Sequence, residues 1–113
     1  MAIGRIPSIV AELGSVNSGA FQIPQALGFT KLSLLVDYTA ESGTDPTLDV
    51  DVEWSEDGTT FVPAETADAF TQFAAVGAAV KQFDIKGQFY RVVYVVGGTA
   101  TPTVTFSIDD HLV

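Results

Sequence analysis

Three carboxylates alternate along one short stretch of the chain: Asp49, Asp51 and Glu53. In an extended strand alternate residues share a face and lie about 6.5–7 Å apart. At that spacing two carboxylates could serve a glycosidase as acid and base, and three could attract a cation. The plainer reading, which the residues favour, is the wet face of a strand in an acidic protein. Other chemistry is sparse. His111 is the only histidine and there is no cysteine, so the spacings of a zinc site are absent and thiolate chemistry is excluded. A Ser–His–acid triad would have to use His111, close to a terminus expected to fray. Gly97-Gly98 does not lie between a strand and a helix, as a phosphate loop requires, and reads as turn geometry. Asp109-Asp110 reads as a charged tail end. Trp54, Tyr38, Tyr90 and Tyr94 could form a sugar-stacking platform. However, Trp54 alternates in phase with Leu48, Val50 and Val52, and Tyr90 and Tyr94 with Val92 and Val96, which places them in a core.

The elements that carry these residues have to come from a chain of 113 residues, the size of one domain. Hydrophobic residues make up 47%, including eight Phe, enough for one core without metal or disulfide. Charged residues are only 17%, against about 25% in an average domain. The uncharged surface is therefore rich in Thr, Ser, Gln, Gly and Ala, which a partner can cover with little charge desolvation. Five Lys and Arg stand against fourteen Asp and Glu, a net charge of −9. Such a chain repels phosphate backbones and anionic membranes, so neither nucleic acid nor a membrane is expected as partner. No apolar run reaches the length of a signal peptide or a membrane span. The expectation is a protein made in a cytoplasm without a cleaved leader.

The dominant period is two, the strand period. Lys31 to Thr39 points Leu32, Leu34, Val36 and Tyr38 inward; Thr47 to Ser55 does the same with Leu48, Val50, Val52 and Trp54. Gln82 to Lys86 contributes Phe83 and Ile85, and Thr103 to Ile108 contributes Val104, Phe106 and Ile108. Phe89 to Val96 is apolar on both faces, interrupted by Arg91, which predicts a central strand or one whose outer face is covered by a neighbour. Ser42-Gly43-Thr44-Asp45-Pro46 is predicted to separate two strands, Glu56-Asp57-Gly58 to make a hairpin, and Gly97-Gly98 with Pro102 to bracket the last turn. A further strand is expected near Ala69–Ala74, in preference to a short helix around Ala67–Phe73, and short ones near Ile9–Leu13 and Ala20–Ile23. Turns at this interval with no amphipathic helix predict an all-β sandwich.

The run Val52-Glu53-Trp54-Ser55-Glu56-Asp57-Gly58-Thr59-Thr60-Phe61 resembles the strand–turn–strand of galactose-binding-like jelly rolls, and Gln88-Phe89-Tyr90-Arg91-Val92-Val93 resembles a later strand of that fold. More broadly, residues 34–50, Ala69-Phe70-Thr71-Gln72 and Phe89–Val96 with Gly97-Gly98-Thr99 look like small proteins encoded among the head genes of tailed phages. The resemblance implies a non-enzymatic virion protein with no cofactor or metal, decorating or cementing a capsid by binding the major capsid protein from outside. It also implies a homo-oligomer, with a trimer favoured. The fold expected is a single jelly-roll-like antiparallel β-sandwich over residues 1–113, with residues 1–7 an extended arm outside the strands. Partner contact is assigned to Ile3, Arg5, Ile6 and Pro7 of that arm. The rival readings are a carbohydrate-binding module of the same fold and a head–tail or tail structural protein.

Overall fold

The alternation that the sequence carries in several separate runs is realised in two very long strands. The computed structural model describes residues 2–113, with side chains from Ile6 onward. The strands are β1 (Ala2–Glu12), β2 (Gly14–Asn17), β3 (Phe21–Gln22), β4 (Lys31–Ser55), β5 (Val62–Ala69), β6 (Gly77–Asp84) and β7 (Phe89–Leu112), with one 3₁₀ turn at Gln25–Leu27. All ladders are antiparallel. β4 and β7 pair with each other from Leu32–Leu112 to Ser55–Phe89. β1, β2 and β3 pair with the other side of β7, and β5 and β6 with the other side of β4.

A straight ribbon of this length does not fit the molecule. Twenty residues of strand span about 66 Å, and the longest dimension is 46 Å. Yet the Tyr90 hydroxyl donates to Asp110 Oδ2 at 2.7 Å, twenty residues along the same strand. The rings of Tyr94 and Phe106, also both on β7, meet edge to face at 4.9 Å. The β4–β7 ribbon is therefore folded back on itself, and each long strand supplies one segment to each of two layers. One layer is β1, β7 (103–112), β4 (31–42) and β6. The other is β2 with β3, β7 (89–97), β4 (47–55) and β5. This is the two-layered all-β sandwich that the alternation predicts.

The corner is built where the sequence shows turn residues. The β4–β7 register slips between Tyr38 and Ala40, between Ser42 and Thr44 and again before Thr47. Gly43 and Gly98 both have positive φ. A Cβ on Gly43 would lie 2.7 Å from Cα of Pro102, and one on Gly98 2.9 Å from the carbonyl oxygen of Asp45. Both positions need glycine for conformation and for space. Ser42–Pro46 and Gly97–Pro102 are thus corrected: they do not reverse the chain between separate strands but face each other as the two sides of one bend. Bulges are the ordinary device for such a corner.

The inward residues are those the alternation selects. Leu32, Leu34, Val36 and Tyr38 of β4 and Val104, Phe106 and Ile108 of β7 face Leu48, Val50, Val52, Trp54, Tyr90, Val92, Tyr94 and Val96 across the core, all buried. The hairpin between β4 and β5 forms where Asp57-Gly58 predicts it. Ser55 Oγ accepts from the backbone N–H of Asp57 and Gly58, and Asp57 Oδ1 accepts from the N–H of Thr59 and Thr60 at 2.8 Å each. These bonds to the charged form hold the Asp57 carboxyl down at about 2.

Three expectations are corrected. The arm at residues 1–7 is not outside the strands: from Ala2 on it is the first half of β1, paired with β7 from Ala2–His111 to Ile6–Ile108. Its alternation is hidden because the register shifts between Ile6 and Ile9 around Pro7. The strand expected at Ala69–Ala74 lies one segment earlier. β5 ends at Ala69, but pairing with β4 continues past it: the Phe70 N–H donates to the Val50 carbonyl and Phe73 forms a two-bond bridge with Leu48, while the two rings touch each other, Phe83 and Tyr38. His111 and Asp110 are not a fraying tail but sit in a strand paired on both sides.

Among the described residues, Asp110 is the one carboxylate the core holds. It is 1% exposed, and its Oδ1 has no hydrogen-bond partner. Burial pushes its carboxyl up to about 6, the Tyr90 hydrogen bond and His111 working against the shift and Asp109 with it. An unfolded aspartate titrates near 3.9. Between about pH 4 and 6 the folded chain therefore binds the extra proton, and the cost of burying the charge is full above about pH 6 and absent below about pH 4. Measured against Asp110→Asn, the wild-type chain should gain about 2 kcal/mol as pH falls from 7.5 to 4. Parallel denaturation curves for the two proteins across that range would contradict the assignment. Trp54, 4% exposed, should lose about 3–5 kcal/mol of stability as Trp54→Ala. A loss below about 1 kcal/mol by urea titration would show that its ring is not core.

Candidate interaction surface

The buried side chains are almost all apolar, and the polar side chains lie mostly on the outer faces. The strand that the sequence marks as apolar on both sides lies centrally in its layer, as predicted, between β2 with β3 and β4. Its outward residues are Arg91, Val93 and Val95. Antiparallel register sets them directly opposite Glu53, Asp51 and Asp49 of β4. The acidic row and the apolar strip therefore form one face, which β4 and β7 hold rigid because both strands are paired on each side.

Each carboxylate in the row has a different environment. Glu53 Oε1 accepts from Arg91 at 2.7 Å, and the Arg91 guanidinium stacks over the Phe61 ring at 4.7 Å. Asp49 Oδ2 accepts from Gln72 Nε2 at 3.0 Å. Asp51 lies between them. Burial raises its carboxyl above the usual range, and the charges of Asp49 and Glu53 add to this. Among the described residues no group of three or more His, Cys, Asp or Glu is arranged to hold a metal ion. Glu53 is held in a cross-strand ion pair with Arg91. The row acts as a charged margin to Val93 and Val95, of which Val95 is 37% exposed.

The aromatic residues proposed as a sugar platform are in the core, as alternation predicts. The Tyr38 hydroxyl donates to Glu41 at 2.7 Å and that of Tyr90 to Asp110, and both are held protonated, chiefly by burial. Trp54 Nε1 donates to Asp68 Oδ2 at 2.8 Å, and Lys86 Nζ lies 5.6 Å from the Trp54 ring while pairing with Asp68. A shallow cleft of about 320 Å³ opens here, lined by Trp54, Glu56, Asp57, Thr60, Val62 and Lys86. Lys86 occupies the ring face that a sugar would use.

Of the four residues assigned to partner contact, Ile6 is buried in the core and Pro7 is exposed on β1. The side chains of Ile3 and Arg5 lie outside the described residues; their backbones belong to β1. Sequence reasoning missed the Arg91–Glu53 pair and its stacking on Phe61. The available signal was Arg91 interrupting an apolar strand, an isolated charge that requires a cross-strand partner.

No protein-family model matches the sequence, and no curated protein is detectably similar to it. Among solved structures, a chain in the structure of infectious bursal disease virus, Gx strain, superposes over 97% of this chain with a TM-score of 0.52 at 13% identity. One from the Gt strain does so over 96% with 0.52 at 10%. This chain spans 31% and 32% of their lengths. A carbohydrate-binding module of Cellvibrio mixtus lichenase 5A, solved with cellotriose, aligns at a TM-score of 0.43 and 9% identity over 96% of this chain and 98% of its own. At these identities the viral likeness shows the fold: an all-β sandwich shared with part of a chain of a virus structure.

Arg91 should be the most sensitive position on the acidic face. Arg91→Ala removes the ion pair and the ring contact and leaves three carboxylates together. The expected loss is about 1–2 kcal/mol. Arg91→Lys restores only part, because an ammonium cannot stack as a plane. Denaturation midpoints within about 0.5 kcal/mol of wild type for Arg91→Ala would show that the pair contributes nothing.

Proposed function

We propose that this protein is a non-enzymatic structural component of a virion, bound to the outside of a tailed-phage head, where it stabilises contacts between coat subunits. The observation that carries the reading is a sandwich with an apolar core and an acidic–apolar face turned outward. Two likenesses support it: the resemblance of residues 31–108 to phage head-associated proteins, and the fold shared over nearly the whole chain with part of a virus structure. The partner is the major capsid protein, and the contact is made in many copies, so modest affinity at each site sums to tight attachment. The carbohydrate-binding alternative would use the cleft beside Trp54 and would require Lys86 to move off the ring.

A ligand that binds the assembled lattice but not free subunits stabilises the lattice by RT ln(1 + [L]/Kd), about 2.7 kcal/mol per site at a hundredfold excess over Kd. Purified protein added to shells that lack it should raise their melting temperature and saturate at a fixed ratio to coat protein. Salt should weaken binding only slightly if Val93 and Val95 lead the contact, and steeply if the acidic row does; the low charge content favours the slight response. Density for the chain on intact heads by electron microscopy is the direct check. Finding it only in tails, or absent from purified particles while a glycan array lights up, would overturn the reading.

A further inference from the structure

A folded ribbon closes neither layer, so each ends in strands with an unpaired side. Most are protected. β1 is broken by Pro7 and by register shifts at both ends of Gly4–Ile6. β5 carries Pro63 and a shift between its two paired segments. β2 and β3 are four and two residues long. These are the usual devices against edge-to-edge pairing. β6 is neither short nor broken: its eight residues, Gly77–Asp84, pair with β4 without a slip and contain no proline, and its charged residues are Lys81 and Asp84.

The backbone of β6 presents a defined set of free groups. Lys31 exchanges both its bonds with Val113 of the neighbouring ladder. Its successors Leu32, Leu34 and Val36 therefore face β6 and bond Phe83, Lys81 and Ala79. The N–H and C=O of Ala78, Val80 and Gln82 point away from the sheet into solvent. The side chains leave this edge open. Ala78 is small, and Lys81 does not reach across it, because its Nζ turns back to the Ala69 carbonyl at 2.7 Å and over the Phe83 ring. Val80, 65% exposed, stands beside Leu35, its partner in register and 38% exposed, so an apolar row runs up to the edge and stops there.

We propose that a second copy of this chain pairs with β6 antiparallel across a two-fold axis at Val80. Only registers that match outward groups with outward groups are allowed. The one centred on Val80 sets Val80 against its own copy, Ala78 against Gln82 and Ala79 against Lys81, and makes about six backbone hydrogen bonds. The row Leu35–Val80 continues into the second copy's Val80–Leu35. A register one step along, centred on Lys81, opposes two lysines and is disfavoured. Charge also selects this edge. Of the five basic residues in a chain of net charge −9, Lys81 lies on β6 and Lys31 beside it, where it pairs with Asp84, so the edge is close to neutral. Two such chains approach here with the least repulsion. The product is an eight-stranded layer running β1-β7-β4-β6 and back through the copy, with the acidic faces of both subunits left free. It is independent of the virion reading and differs from the trimer that the phage resemblance implies.

The test is the solution mass of the full chain by light scattering from about 1 to 100 μM. The expected mass is twice the 11.9 kDa chain. Val80→Pro removes an N–H that the monomer does not use, which an edge strand tolerates; it should weaken dimerisation by about a hundredfold or more. Should that variant fail to fold, Val80→Lys, which opposes two like charges on the axis, gives the same reading. Amide exchange at Ala78, Val80 and Gln82 should be slow in the dimer and fast on dilution. A monomer or trimer throughout the range, or a dimer that survives both substitutions with those amides unprotected, would overturn the proposal.

Discussion

The pairing of β4 with β7 is the constraint on which everything else depends. Each strand is about twice as long as one layer can hold, so the ribbon has to bend, and the bend makes the sandwich. Once Gly43 and Gly98 allow the backbones to cross at the corner, the two halves of β7 face each other and Tyr94 meets Phe106. The remaining strands only extend the two layers sideways. The ladder joins positions distant in sequence, from Ser55–Phe89 out to Leu32–Leu112. Such topology folds slowly, because loop entropy is lost before the contacts form.

The Tyr90–Asp110 bond sits where that bend is least forgiving. It ties the first and last turns of β7 across an otherwise apolar core, and a buried polar pair has only one arrangement that satisfies it. Apolar side chains such as Val92 and Ile108 pack tolerably in several offsets. The hydroxyl and carboxylate do not, so the pair specifies how one layer lies on the other at a cost in stability, because one carboxylate oxygen remains unpartnered.

Charge is distributed in keeping with the layers. Asp49, Asp51 and Glu53 line the outer face of one layer, with Arg91 paired to Glu53, while Lys31 and Lys81 lie at β6 on the margin of the other. A chain that is strongly acidic in sum therefore offers one face fringed by carboxylates and one edge that is close to neutral.

Much of this was legible in the sequence because alternation is local. The inward set from Leu32 to Tyr38, from Leu48 to Trp54 and from Val104 to Ile108 follows from a period of two read a few residues at a time, and the Asp57-Gly58 hairpin follows from the φ that glycine permits. Whether Ser42–Pro46 and Gly97–Pro102 reverse the chain or bend it is not local, since both need glycine and only the opposite strand decides between them. The same holds for Ala2–Pro7, whose strand character comes from the β7 groups it satisfies and not from its own side chains. It holds too for Asp110, which reads as a charged tail until the fold sets it against Tyr90. Side-chain pattern determines which face of a segment is buried; partner, register and depth depend on residues far along the chain, and only the folded ribbon brings those together.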